Sequence, residues 1–172
     1  MTKFIFINPI LVSIFPVLYF FSSNMDERVS VLQILSIIII TSLFATLTYL
    51  TSILLIKEKY KAVLFSTWII LIFFSYGYLI ESASEVSIFG IIIGSHRYFL
   101  PLVAIITLII FFALKNSSVD FRKFYSPLLV FSLVLILINL IQIIRYESIP
   151  MSSLRTQSIN TNKLFLTVRY EN

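Results

Sequence analysis

The only histidine of the chain, His96, is followed at once by Arg97, and two carboxylates, Glu81 and Glu85, lie shortly before them. An arginine can grip phosphate oxygens in a fork, a histidine exchanges a proton near neutral pH, and a carboxylate neutralises either cation. Two readings stand side by side. In one, Arg97 pairs with Glu81 or Glu85 and pins a turn, or meets a lipid phosphate, while His96 is an interfacial aromatic ring. In the other, His96 and Arg97 hold a phosphate-bearing lipid or hand it to a partner. Little else is available for chemistry. Asp26 and Asp120 are the only aspartates, cysteine is absent, and the three glycines, Gly77, Gly90 and Gly94, lack the spacing of a phosphate-cradling loop. Disulfides, zinc–thiolate sites and cysteine nucleophiles are excluded. The expectation is a non-enzyme with no metal and no cofactor.

The elements that must position these residues follow from composition. Of 172 residues, 59% are hydrophobic and 12% charged, and the mean hydropathy is +1.00, far from a soluble globular domain. The net charge of +5 comes from basic residues scattered between apolar runs, so it marks membrane topology and not a nucleic-acid partner. Five uncharged runs approach the roughly 20 residues that a bilayer requires, at 4–21, 29–56, 62–80, 98–114 and 127–144. The fold class is therefore all-α, a polytopic bundle of five transmembrane helices filling 1–146, followed by a polar tail over 147–172. The first run lacks a cleavage site and reads as an uncleaved anchor, with Pro9 and Pro16 as kink positions. The segment between the third and fourth runs is too short to span and predicts an interfacial or re-entrant turn.

Within the runs, residue spacing predicts packing. Thr41, Ala45, Thr48 and Ser52 share one helix face, where a neighbouring helix can approach closely and take hydroxyl hydrogen bonds. Asn139 and Gln142 share a face of the fifth run and suit interhelical hydrogen bonding. Gly90 and Gly94 match the small-xxx-small pattern of close helix contact. Tyr60, Tyr76, Tyr78, Tyr98, Tyr125 and Tyr146 mark interfaces. In the tail, the alternation of Leu164, Leu166 and Val168 predicts a short strand.

Orientation comes from lysine and arginine in the short loops. Lys3, Lys57, Lys59, Lys61, Lys115, Arg122 and Lys123 fall on one side, and the opposite loops hold only Arg28 and Arg97; Arg145, Arg155, Lys163 and Arg169 of the tail argue mildly the other way, but five spans from an inside N-terminus require an outward C-terminus. The expectation is a cytoplasmic N-terminus and an extracytoplasmic C-terminus in a bacterial cytoplasmic membrane.

Three stretches carry a family likeness: Phe73-Phe74-Ser75-Tyr76-Gly77, then Gly94-Ser95-His96-Arg97-Tyr98-Phe99-Leu100-Pro101-Leu102, and Leu140-Ile141-Gln142-Ile143-Ile144. Together they resemble the N-terminal membrane domain of bacterial membrane-anchored sulfatase-like proteins, in the alkaline phosphatase superfamily with phosphoglycerol and phosphoethanolamine transferases. The resemblance covers roughly residues 1–150. It implies an anchor, with an extracytoplasmic hydrolase domain encoded downstream as its partner and the tail as that domain's stub. The family's metal-binding Asp and His residues map to no position of this chain, and Tyr78 and Ser95 stand where relatives carry more polar residues. The partners expected are the lipid bilayer, anionic headgroups and that hydrolase domain. The alternative is a standalone small membrane protein, either a transporter-like subunit or an assembly factor.

Overall fold

Glu58 starts a helix without being inside it. Its two carboxylate oxygens accept the backbone N–H groups of Tyr60 and Lys61 at 3.0 and 2.9 Å, which satisfies donors that a helix start leaves free. Just before it, Lys57 adopts a left-handed backbone, φ 62, and its N–H closes the preceding helix on the Ile53 carbonyl at 2.9 Å. Two residues thus turn the chain between two long helices.

The computed structural model describes residues 5–24, 31–84, 87–88, 91–92 and 94–147. In chain order they form α1 (Ile7–Ser23), α2 (Val31–Ile56), α3 (Lys59–Ser84), the strands β1 (Ser87–Ile88) and β2 (Ile91–Ile92), α4 (His96–Asn116) and α5 (Arg122–Glu147). Four helices are long and apolar enough to cross a membrane, with spans over Leu32–Ile56, Lys59–Ser84, His96–Asn116 and Arg122–Arg145. The first is different. At 17 residues, α1 extends about 25 Å at 1.5 Å per residue, a little less than the roughly 30 Å hydrocarbon core.

At both ends α3, α4 and α5 extend beyond their apolar runs, because hydropathy does not see caps. α3 begins at Lys59, not 62, since Lys59 and Lys61 sit in a first turn that Glu58 closes. α5 begins at Arg122, whose N–H is accepted by Asp120 at 3.0 Å. At the other end of α1, the Asn24 side chain donates to the Phe20 carbonyl at 2.7 Å. Pro9 stands in the first turn of α1, where a missing N–H costs nothing, whereas Pro16, Pro101 and Pro127 lie inside helices.

The shortest helix lies centrally, beside α3, which packs against every other helix. α1 packs against α2, α3 and α5, while α4 packs chiefly on α3. At one end Ile5, Tyr49, Ala62 and Val63 form a cluster with Tyr60, Tyr125 and Leu128 around it. Nearer the middle, Val12, Ala45 and Ile70 join α1, α2 and α3. Sequence neighbours alternate in direction, and α1, α3 and α5 run the same way. Of the cations among the described residues, Lys57, Lys59, Lys61, Lys115, Arg122 and Lys123 therefore gather at one end, and Arg97 and Arg145 lie at the other.

The outer surface is apolar. Leu32, Ile40, Leu54, Leu71, Ile109, Phe131 and Ile141 are all exposed, an inversion of soluble surface composition that suits contact with lipid. The chain is a membrane-spanning helical protein.

The expected turn between α3 and α4 is a small antiparallel hairpin, with Ser87 opposite Ile92 and Ile88 opposite Ile91. The small-xxx-small expectation pairs Gly94 with Gly90, which the described residues do not include. Gly90, Glu85 and the predicted strand at 164–168 lie outside the described residues, as does the tail beyond Glu147. Gly94 does make a close approach, but to the end of α3: its N–H donates to the Ala83 carbonyl at 3.1 Å, and a side-chain carbon there would collide with the backbone of Ser84.

Candidate functional site

Gly94 fixes where α4 begins. The backbone leaves the end of α3, passes against Ala83 and Ser84, and turns through extended Ser95, whose carbonyl accepts the N–H groups of Tyr98 and Phe99, each at 2.9 Å. This sets His96 at the first position of α4, facing back onto α3. There the Tyr76 hydroxyl lies 3.0 Å from His96 Nδ1, the two rings stack with centroids 5.9 Å apart at 29°, and Tyr76 also contacts the buried ring of Phe99 at 5.6 Å. The tyrosine of one quoted stretch and the histidine of another therefore meet.

Arg97 is exposed, its guanidinium 5.9 Å from the Tyr98 ring centroid. Glu81 is exposed as well, and among the described residues no ion pair joins it to Arg97. Glu85, the other expected partner, lies outside the described residues, and among those described the Gly94 backbone contact and the Tyr76–His96 bond join the two helices. Below the pair, α3 and α4 leave a groove of about 430 Å³ lined by Ile69, Phe73, Tyr76, Leu100, Val103 and Thr107 among others. At its foot the indole N–H of Trp68 donates to the Thr107 hydroxyl at 3.3 Å.

Among the described residues the deep polar side chains are all uncharged: Asn8, Ser13, Ser52, Ser66, Thr67, Ser132 and Asn139. Among the described residues no buried side-chain nitrogen or oxygen lacks a partner. Asn8 is the hub. Its amide donates to Thr67 Oγ1 of α3 at 3.4 Å, and its carbonyl oxygen accepts from Ser132 Oγ of α5 at 3.3 Å. Sequence reasoning missed Asn8, because an asparagine near the start of an apolar run looks like an interface residue. Its available signal was the absence of any other amide in that run.

Asn139 takes part in a second bridge, accepting from the Ser22 hydroxyl at 2.8 Å and donating to the Leu135 carbonyl at 2.8 Å. Gln142, expected to share this role, is exposed. The stripe on α2 lies partly within the core, with Ala45 and Ser52 buried and Thr41 and Thr48 half-buried. Its hydroxyls do not reach across to a neighbour as expected. Thr41, Thr48 and Ser52 donate to the carbonyls of Ile38, Phe44 and Thr48 on their own helix at 3.1, 2.8 and 2.7 Å, since a hydroxyl one turn along finds a carbonyl without any help from a partner.

At the lysine-rich end, Lys61 Nζ donates to the Ser117 carbonyl at 2.6 Å, tying the start of α3 to the end of α4. Among the described residues no three of His, Asp or Glu converge to hold a metal ion. No family model, curated protein or solved structure matches this chain.

Proposed function

We propose that the chain is a non-catalytic membrane anchor of five crossings. Its N-terminus and lysine-rich end are cytoplasmic, and the residues following α5 emerge on the extracytoplasmic side of a bacterial cytoplasmic membrane. The observation that carries this reading is the closed interior. The buried polar side chains are neutral and spend their hydrogen bonds on one another or on their own helices, which suits a static bundle better than a path for a polar substrate. The gathering of Lys57, Lys59, Lys61, Lys115, Arg122 and Lys123 at one end supports the orientation. The likeness to sulfatase-like membrane domains supports a hydrolase domain as the partner held at the outer face.

The chain has no cysteine, so single substitutions give clean topology reporters. Ser82→Cys and Asn24→Cys should react with an impermeant maleimide on intact cells, and Ser118→Cys only after permeabilisation. Labelling of Ser118→Cys from outside would overturn the orientation, and labelling of Ser82→Cys and Ser118→Cys from one side would overturn the crossing by α4. The anchor role is tested by the DNA beyond the codon for Asn172. An Asp- and His-rich hydrolase domain there supports it, and none in the same transcript removes it in favour of a standalone protein.

A further inference from the structure

We infer that the α3–α4 groove seats one acyl chain of an anionic glycerophospholipid, with the lipid phosphate held at the groove mouth by Arg97 and His96. The inference rests on the membrane-bundle reading and adds a ligand to it.

The groove has the right chemistry along its length. Its wall is Ile69, Phe73, Leu100 and Val103, with Tyr76 at one end and Thr107 at the other, and seven residues of helix make it about 10 Å deep. Its volume of about 430 Å³ falls among those of small-ligand sites. Beyond the mouth, apolar lining gives way to the Arg97 cation and the His96 ring. Leu100 stands one turn below His96 and Arg97 on α4, so a headgroup above a chain in the groove meets those two residues first. Arg97 is exposed beside the Tyr98 ring, a surface position from which its planar N–H fork suits a phosphate. Tyr76 engages Nδ1 of His96. In the tautomer in which Nδ1 accepts the tyrosine proton, Nε2 carries the ring proton and donates outward. The Tyr76–His96 bond thus orients a donor as well as joining two helices.

Trp68, the only tryptophan, reports on this site because it is bonded to Thr107 at the groove's foot. The experiment reconstitutes the full chain in bilayers containing phosphatidylglycerol or phosphatidylcholine with brominated acyl chains and follows quenching of Trp68 fluorescence. Brominated phosphatidylglycerol should show about a fivefold preference at the quenching site, in line with one cation meeting one headgroup. Arg97→Gln should bring the ratio to about one, and Arg97→Lys should keep most of it; an exposed side chain makes both safe for folding. Equal quenching by the two lipids in the unaltered chain overturns the inference and leaves the bundle standing. A preference that survives Arg97→Gln also overturns it, by moving the anionic site elsewhere. Absence of quenching by either lipid overturns the bundle reading along with it.

Discussion

A methyl group at Gly94 would fall on the backbone of Ser84 and Ala83, whereas one at Gly77 meets nothing within 4 Å. The two glycines, alike in sequence, should therefore respond oppositely to alanine. Gly94→Ala forces α3 and α4 apart at their join and should cost about 1–3 kcal/mol, as overpacking does. Gly77→Ala, on an exposed helical position, should gain up to about 1 kcal/mol. Thermal unfolding in detergent distinguishes them, and equal midpoints would contradict the close approach. Asn8 gives a second test at this scale. Asn8→Ala strips Thr67 and Ser132 of their shared partner and should cost about 1 kcal/mol in the same measurement, the typical worth of such bonds between membrane helices. No loss would mean that the α1–α3–α5 hub contributes nothing to stability. The hub was illegible beforehand because Asn8, Thr67 and Ser132 come together only when three helices pack. Asn139 was legible as a bridging residue, yet its partner Ser22 was not, for the same reason.

Between residues and the whole bundle, the helices were visible as apolar runs and their ends were not. The runs show where hydrocarbon can surround the chain; the ends are decided by which side chain can satisfy a free N–H or carbonyl. Glu58 and Asp120 do this from outside the helices they start, so charged Lys59 and Arg122 become helical. The α2–α3 turn carries a test of that account. Lys57 holds a left-handed φ of 62 that costs a side-chain-bearing residue roughly 1 kcal/mol and glycine almost nothing. Lys57→Gly should accordingly raise the unfolding midpoint, and Glu58→Ala should lower it by a similar energy, about 1 kcal/mol. A fall on Lys57→Gly would show that its side chain matters more than its backbone. The hairpin after α3 was beyond sequence reasoning because a short apolar stretch has no period that separates a strand from a turn of helix.

At the scale of the molecule, charge and shape answer different questions. On the proposed orientation the cations at one end direct insertion, so replacing Lys57 and Lys59 together by Gln should weaken the bias and let a fraction of Ser118→Cys molecules react from outside the cell. Unchanged labelling would place the topology signal elsewhere. Lys61 is left intact in that test because it also holds the Ser117 carbonyl. Composition, hydropathy and the placement of lysine and arginine were enough by themselves to determine a membrane-spanning helical chain. Each depends only on how a local run partitions between water and lipid. The centrality of the shortest helix, the Asn8 hub, the meeting of Tyr76 with His96 and the groove beneath them were decided by the tertiary structure. They depend on contacts between helices distant in sequence, and the energy of such a contact exists only once both partners are in place.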